Sequence, residues 1–348
     1  MRPNMLKISV IVCCYGGEST IEECLNSLIS QKINSELFEV IVVDDGSKDN
    51  TSSLVKNFIK TKFDEEQTAF RYYRKTNEGL SIARNFGIEK SLSELVVFID
   101  EDALAFSNYL TTIIDYFDEN QNINCLGGEI DLYNDESSFA RLIQDSIFSY
   151  SMKTNKNAVI GTNMAFRKSF LKEVGGFQPE FTYRGDESAL FAKAKEIIVI
   201  GRCDTMKVKH FQPSNYKAWL NTRFENGYFG AAIDFLIKNS FKKISFNIFI
   251  RLIFLSVPFL LLSSLVLIFV SPFFAAILLF GIVLYLVRKF ILSGSLWQII
   301  KELRLNRNNN TKIKDELYLC FLIILGIYKE NVGYVKGVLA FRNQKWKK

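Results

Sequence analysis

The sequence has one histidine, five prolines and, among its six cysteines, no pair in CxxC spacing. That scarcity speaks against a zinc site of the usual cysteine and histidine type and against the disulfide framework of a small secreted domain. Cys13 and Cys14 lie inside an apolar run, and with Cys24, Cys125, Cys203 and Cys320 they read as reduced, buried thiols of a cytosolic compartment. Residues 1–20 lack a long apolar core followed by a small-residue cleavage site, so export of the first half is not expected. Internal repeats and low-complexity linkers are absent as well. Disorder is excluded: 348 residues at 48% hydrophobic and 23% charged suffice for one large or two medium cores.

Charge is scarce where the chain is most apolar. The net charge of +6 conceals 26 Lys/Arg against 33 Asp/Glu in residues 1–237 and 17 against 4 in residues 238–348. An acidic first part argues against nucleic acid as a partner, because such binding needs a basic surface that releases counterions from phosphates. The basic second part surrounds apolar runs, which points to a bilayer with anionic lipid. From Leu252 to Val287 no charged residue occurs, a stretch of 36 residues, or roughly 54 Å as helix. Broken at Ser271-Pro272, it predicts a transmembrane hairpin near 248–292 with spans at 248–270 and 273–292. Lys242, Lys243 and Arg251 precede it and Arg288 and Lys289 end it, so both flanks are expected in the cytoplasm. Residues 1–237 would then face the cytosol from the inner (plasma) membrane. A further apolar run, Leu317–Tyr328, is followed by Lys329-Glu330-Asn331 and reads as a re-entrant or interfacial helix.

The first half shows a regular alternation. Lys7–Cys14 is a β-branched run of strand length ended by Tyr15-Gly16-Gly17, and Ser19 with Glu22 predicts a capping box for a helix with Ile21, Cys24, Leu25, Leu28 and Ile29 on one face. Strands at Phe38–Val43, Phe70–Tyr73 and Leu95–Ile99 alternate with helices through Leu54–Ile59 and about Leu80–Lys90. Continuous apolar strands separated by amphipathic helices indicate an α/β, Rossmann-like and mostly parallel sheet covered on both faces. Beyond Asp102 the pattern becomes mixed, with strand candidates at Cys125–Tyr133, Ala158–Phe166 and Ile197–Ile200.

Ligands bind such sheets beyond the carboxyl ends of the strands, so the polar clusters there are read chemically. Asp44-Asp45-Gly46-Ser47 is either a turn with a helix cap or an acceptor for a base N–H or ribose hydroxyl. Asp100-Glu101-Asp102 sets three carboxylates side by side, an arrangement that Mg²⁺ or Mn²⁺ with substrate phosphates would offset. Arg184-Gly185-Asp186-Glu187 precedes a helix and offers either ordinary first-turn acids or a general base for a hydroxyl. His210, after Met206-Lys207-Val208-Lys209, is a candidate extra metal ligand.

In order along the chain, SVIVCCYGG, EVIVVDDGSKD, NEGLSIARNFGI, LVVFIDEDA, GTNMAFRKSFLKEVGGFQPEF, RGDESALFAK and VKH resemble the inverting family 2 glycosyltransferases of GT-A fold, over roughly residues 7–230. The resemblance implies a GT-A nucleotide-sugar domain at 1–237, with a nucleotide-binding part at 1–110 and an acceptor-side part at 111–237, followed by a membrane-associated helical region at 238–348. It makes Asp45 the partner of the base, with Tyr15 and the backbone near Cys13 lining that pocket. Asp100 would face the ribose and Asp102 the metal, together forming a DxD motif. Arg84 would lie near the donor, Gly161-Thr162-Asn163 would form the acceptor-side and sugar-side wall, and His210 would be a late metal or diphosphate contact. The family usually has Glu-Asp where this chain has Asp186-Glu187, so either carboxylate can be the base.

The same resemblance implies a membrane-anchored enzyme moving sugar from a nucleotide-sugar donor, typically a UDP-sugar, to a hydroxyl of a saccharide or polyprenyl-linked acceptor in envelope glycan synthesis. Trp219, Phe224, Tyr228 and Phe229 interleave with Lys217, Arg223 and Lys238 and either hold that acceptor at the bilayer or pack against the sheet. Two rival functions are a non-catalytic nucleotide-binding scaffold and a processive polysaccharide synthase. Asn221-Thr222-Arg223-Phe224 does not match the Gln-x-x-Arg-Trp segment that such synthases carry.

Overall fold

The computed structural model describes residues 6–63, 70–154, 159–238, 244, 247–249, 251–252, 255–256, 295–309 and 312–342. In chain order its elements are β1 (Ile8–Cys14), α1 (Ile21–Ile29), β2 (Phe38–Asp44), α2 (Thr51–Lys62), β3 (Phe70–Arg74), α3 (Leu80–Lys90), β4 (Leu95–Asp100), β5 (Ala103–Ala105), α4 (Tyr109–Glu119) and β6 (Cys125–Leu132). There follow α5 (Ser138–Ile143), α6 (Ser149–Thr154), β7 (Asn163–Arg167), α7 (Lys168–Glu173), α8 (Asp186–Lys193), β8 (Ile200–His210), α9 (Tyr216–Lys238), α10 (Ser295–Asn306) and α11 (Ile313–Phe341). The chain forms two compact units, Met1–Asn134 with Asn155–Gln212, and Asp135–Thr154 with Pro213–Lys348.

The first unit is built on one eight-stranded sheet in the order β3-β2-β1-β4-β7-β6-β8-β5. Every residue of β1 and β2 is buried, as parallel strands covered on both faces require. Their polar members are satisfied inside: Ser9 Oγ donates to Glu39 Oε1 at 2.6 Å, and Arg71 pairs with the other oxygen of Glu39. One face is filled by Ile11, Ile41, Val96, Phe98, Phe166 and Phe177, with the Phe98 and Phe177 rings edge to face at 5.3 Å between centroids.

The expected parallel character holds for β3-β2-β1-β4, and the rest of the sheet is mixed. β7 runs antiparallel to β4 and β6, β8 is parallel to β6, and β5 is antiparallel to β8. The strand expected at Ile197–Ile200 is instead the eleven-residue β8, which begins at Ile200 and alternates buried and open positions along much of its length. The predicted capping box does not form. Thr20, not Ser19, precedes α1 and caps it with no side-chain hydrogen bond, its hydroxyl reaching back toward the Gly17 carbonyl.

In the second unit α9 and α11 lie against each other at glycine contacts. A Cβ on Gly227 would collide with the Glu330 carbonyl, and one on Gly333 with the Phe224 carbonyl, so the two backbones touch where side chains would hold them apart. α11 runs unbroken through Lys329-Glu330-Asn331, correcting the expected interruption there. Two of the polar residues find partners, Glu330 pairing with Arg223 and Asn331 Oδ1 accepting from Arg251 Nη1 at 2.7 Å, and Lys329 is exposed. Trp219 and Phe229 are buried in this unit and the rings of Tyr228 and Phe341 lie 5.0 Å apart, so the aromatic stretch packs on α11. Among the described residues α11 is the one helix long and apolar enough to cross a membrane. The hairpin expected near 248–292 lies almost wholly outside the described residues.

The glycine contacts make a direct prediction. Gly333→Leu should overpack the α9–α11 contact and lower stability by roughly 1–3 kcal/mol or more, read as a drop in Tm by scanning calorimetry in detergent. An unchanged Tm would show that the two helices do not meet this way in solution.

Candidate active site

β1 lies between two parallel neighbours reached in opposite directions, β2 on one side and β4 on the other. Its carboxyl end is therefore the switch point at which such sheets open a crevice. Register carries the acidic clusters there. Cys14 sits opposite Asp44, and Cys13 opposite Asp100, so Asp44-Asp45 and Asp100-Glu101-Asp102 leave the sheet on either side of Tyr15-Gly16-Gly17. Tyr15 is exposed, whereas Cys13 is a core residue whose thiol burial pushes well up from its ordinary value.

Asp100 and Asp102 converge with His210, one atom of each lying within 4.8 Å of the others. His210 arrives from the far end of the chain because β8 pairs with β5, setting it opposite Ala103. Its Nε2 is 3.2 Å from Asp102 Oδ1. Burial pushes the imidazole down, but the hydrogen bond and charge of Asp102 outweigh this and raise it overall; Asp102, penalised by burial, is held low by the same bond. Two carboxylate oxygens and an imidazole suit a hard divalent ion such as Mg²⁺ or Mn²⁺, so these residues fit the expected group.

Glu101 is not part of that cluster. It lies against Gly17, and burial, with the charges of Asp102 and Asp100 after it, pushes its carboxyl up to about 8. The middle carboxylate of the three is thus the one whose proton affinity is raised.

Arg84 joins the Asp100 cluster to the carboxylates that open α8. It sits on the buried face of α3 with Ser81, Gly87 and Ile88, only 2% exposed. Nη2 donates to Asp100 Oδ1 at 3.1 Å and to the Gly161 carbonyl at 3.2 Å, while Nη1 pairs with Asp186 Oδ2. The guanidinium lies over the rings of Phe98 and Phe177 at 5.8 and 5.5 Å. Asp100 Oδ2 accepts from Thr162 Oγ1 at 2.6 Å, which completes the orientation of that carboxylate. The resemblance placed Arg84 near the donor, but its partners, up to 102 positions away, had no signal in the sequence.

Asp186 and Glu187 open α8, and their environments differ. Asp186 is 1% exposed and locked on Arg84, whereas Glu187 is half-buried. Burial, then the charge and hydrogen bond of Asp186, push the Glu187 carboxyl up to about 8 against the opposing pull of Arg84.

Two residues of the expected site also hold the scaffold. Asp45 accepts from the backbone N–H groups of Glu78 and Gly79 at 3.1 and 2.7 Å, so its carboxylate fixes the loop before α3. Asn163 accepts from Tyr109 Oη at 2.9 Å and donates to the Glu129 and Met206 carbonyls at 2.8 and 3.1 Å, pinning β6 to β8. Gly161 has no room for a side chain, since a Cβ there would stand 2.9 Å from Arg84.

A model of the glycosyl transferase family 2 matches residues 9–175. Those residues form a family 2 glycosyltransferase domain. Glycosyltransferase AglE of Haloferax volcanii is 27% identical over 189 residues, covering 53% of this chain and 60% of that protein. The chain thus spans about three-fifths of AglE. The glucosyl-dolichyl phosphate glucuronosyltransferase of the same organism is 22% identical over 253 residues, 66% of this chain and 78% of the relative. Among solved structures, S. aureus TarS aligns with 99% of this chain and 93% of its own at 18% identity and a TM-score of 0.48. The matched stretch ends at Gly175, before α8 and β8, so Asp186, Glu187 and His210 join it through the fold.

Proposed function

We propose that this chain is an inverting glycosyltransferase that moves a sugar from a nucleotide-sugar donor to an acceptor hydroxyl. The observation that carries the reading is the Arg84 bridge, which sets the Asp100, Asp102 and His210 cluster beside the Asp186-Glu187 carboxylates. A divalent ion held by Asp100, Asp102 and His210 would supply charge neutralisation for the diphosphate leaving group. Glu187 is the base. Asp186 is held by Arg84, and Glu187 is the carboxylate with both solvent access and raised proton affinity. It takes the hydroxyl proton as the acceptor oxygen bonds to the anomeric carbon. The bond from that carbon to the diphosphate oxygen breaks on the opposite face, the nucleoside diphosphate departs with the bonding electrons, and the configuration inverts.

Asp45, Tyr15 and the backbone at Cys13 would receive the nucleotide, most typically uridine, with Asp100 toward the ribose and Gly161-Thr162 toward the sugar. We assign the acceptor as a polyprenyl-phosphate-linked hydroxyl, because the basic, apolar second part suits a bilayer and a relative is named for transfer to a dolichyl phosphate glucoside. Under this reading residues 1–237 work on the cytoplasmic face of the membrane that 238–348 holds.

Calorimetry with UDP and GDP tests the donor site. Binding should require Mg²⁺ or Mn²⁺, and should disappear in EDTA and in Asp102→Asn, because diphosphate beside two carboxylates is like-charge contact unless a cation lies between them. Equal affinity with and without metal would remove the assignment of Asp102. Released nucleotide, measured over a panel of nucleotide sugars with lipid extract, then names the donor.

A further inference from the structure

The second unit contains a cavity of about 330 Å³ between α6, α9, α10 and α11, lined only by residues of that unit. Most of its lining is apolar. Trp219, Ile299 and Ile323 are all below a tenth exposed, and Ile327 and Leu296 complete the wall. Gly326 makes room for the indole there: a Cβ at that position would strike the Trp219 ring, which approaches the α11 backbone closely.

The mouth has a different character. Ser151 and Thr154 on α6 are exposed, and Arg223 is half-buried, with its side chain 27% open. Arg223 pairs with Glu330 through Nη2, but a guanidinium has five N–H donors, so the pair orients the cation without exhausting it. The wall beside the mouth is irregular as well. Residues Gln144–Phe148, between α5 and α6, wind as a π-helix, and Ile147 from that segment faces the cavity. Single-turn π insertions are found mostly where a helix serves a function.

An apolar end, a hydroxyl-bearing mouth and one oriented cation match an amphiphile with a hydrocarbon tail and an anionic head. We propose that this cavity binds the phosphate-proximal isoprene units of a polyprenyl phosphate, with Arg223 receiving the phosphate. The assignment rests on the reading of a lipid-linked acceptor. Volume favours a prenyl over a diacyl lipid: at about 30 Å³ per water-sized group the cavity holds on the order of ten such groups, roughly two isoprene units of one chain. A phospholipid would bring two chains to a space that admits part of one. Trp219 and the branched isoleucine walls suit a methyl-bearing chain, and Arg223, the one charged residue of the lining, favours an anionic head.

The test uses the full-length chain in neutral detergent and farnesyl phosphate as probe, with binding read by calorimetry. Ile327→Trp fills the cavity from a half-buried position. Arg223→Gln, made together with Glu330→Gln so that no carboxylate is left alone, removes the head contact. Each should weaken farnesyl phosphate binding at least ten-fold while UDP binding and Tm stay as in the parent. Farnesol should bind at least ten-fold more weakly than farnesyl phosphate, and vesicles of phosphatidylglycerol should not compete. Unchanged affinity in Ile327→Trp, or equal competition by phosphatidylglycerol, overturns the proposal. The two readings fail separately. Farnesyl phosphate binding lost on filling the cavity, in a protein that transfers no sugar, supports the cavity and sinks the transferase; transfer to a prenyl-linked acceptor that Ile327→Trp leaves intact does the reverse.

Discussion

Glu187→Gln should lower sugar transfer by roughly 10²–10⁴-fold, the usual worth of a positioned general base, with nucleotide affinity changed by no more than about two-fold. The sign of the pH dependence follows from the direction of its shift. A base must be ionised to act, and burial with Asp186 pushes the Glu187 carboxyl up to about 8. Transfer under kcat/KM conditions should therefore climb as pH rises through that value, losing about ten-fold per pH unit below it. The charged groups facing Glu187 are Asp186 and Arg84. Asp186→Asn removes the neighbouring negative charge and should move the climb to lower pH; Glu187→Gln should abolish it. If the climb survives in Glu187→Gln, or if that variant keeps transfer within a few-fold of the parent, the base is another group.

Arg84→Met should strongly destabilise the first unit. It leaves Asp186 buried without a counter-charge and strips Asp100 of one of its two hydrogen-bond donors. Breaking a buried ion pair from one side costs roughly 3–5 kcal/mol, because the remaining charge stays in a poorly solvating interior. Much of that loss should return in the double variant Arg84→Met with Asp186→Asn, which no longer buries a lone carboxylate. Arg84→Lys keeps the charge but not the fork that reaches two carboxylates and a carbonyl, so it should fall between. Urea unfolding at neutral pH measures all three. Equal loss in the single and double variants would mean that packing against Phe98 and Phe177, and not charge, accounts for the arginine.

The part of the fold that was legible in the sequence is the part where one physical rule dominates. β1, β2 and β4 are buried on both faces, so they read as unbroken apolar runs, and the acidic residues just beyond them mark the carboxyl edge. α3 was found at its observed bounds for the same reason. β8 was misplaced because it is partly open and carries Arg202, Asp204, Lys207 and Lys209, which breaks the apolar signal although the ladder to β6 continues. The continuity of α11 was hidden by Lys329-Glu330-Asn331, in which Glu330 and Asn331 are answered by Arg223 and Arg251 from distant parts of the chain. At the site, residue types were legible and assignments were not. Sequence left Asp186 and Glu187 equivalent; the contact of one of them with Arg84 is what separates them. Nothing local to Asp45 or Asn163 announces that their polar atoms tie loops and strands together.

The irregular join between β6 and β8 gives the strand a use as a measuring rod. Pairing shifts between Gly128 and Glu129, then runs in register until Leu132 meets His210. Side chains alternate faces along a strand, so adding or deleting one residue between Lys207 and His210, where β8 is in register with β6, would turn the imidazole to the opposite surface while leaving the core composition intact. Length beyond the bulge is therefore as strict a requirement as sequence, and an insertion survey across the chain should find Lys207–Lys209 intolerant of a single extra residue although Lys209 faces water.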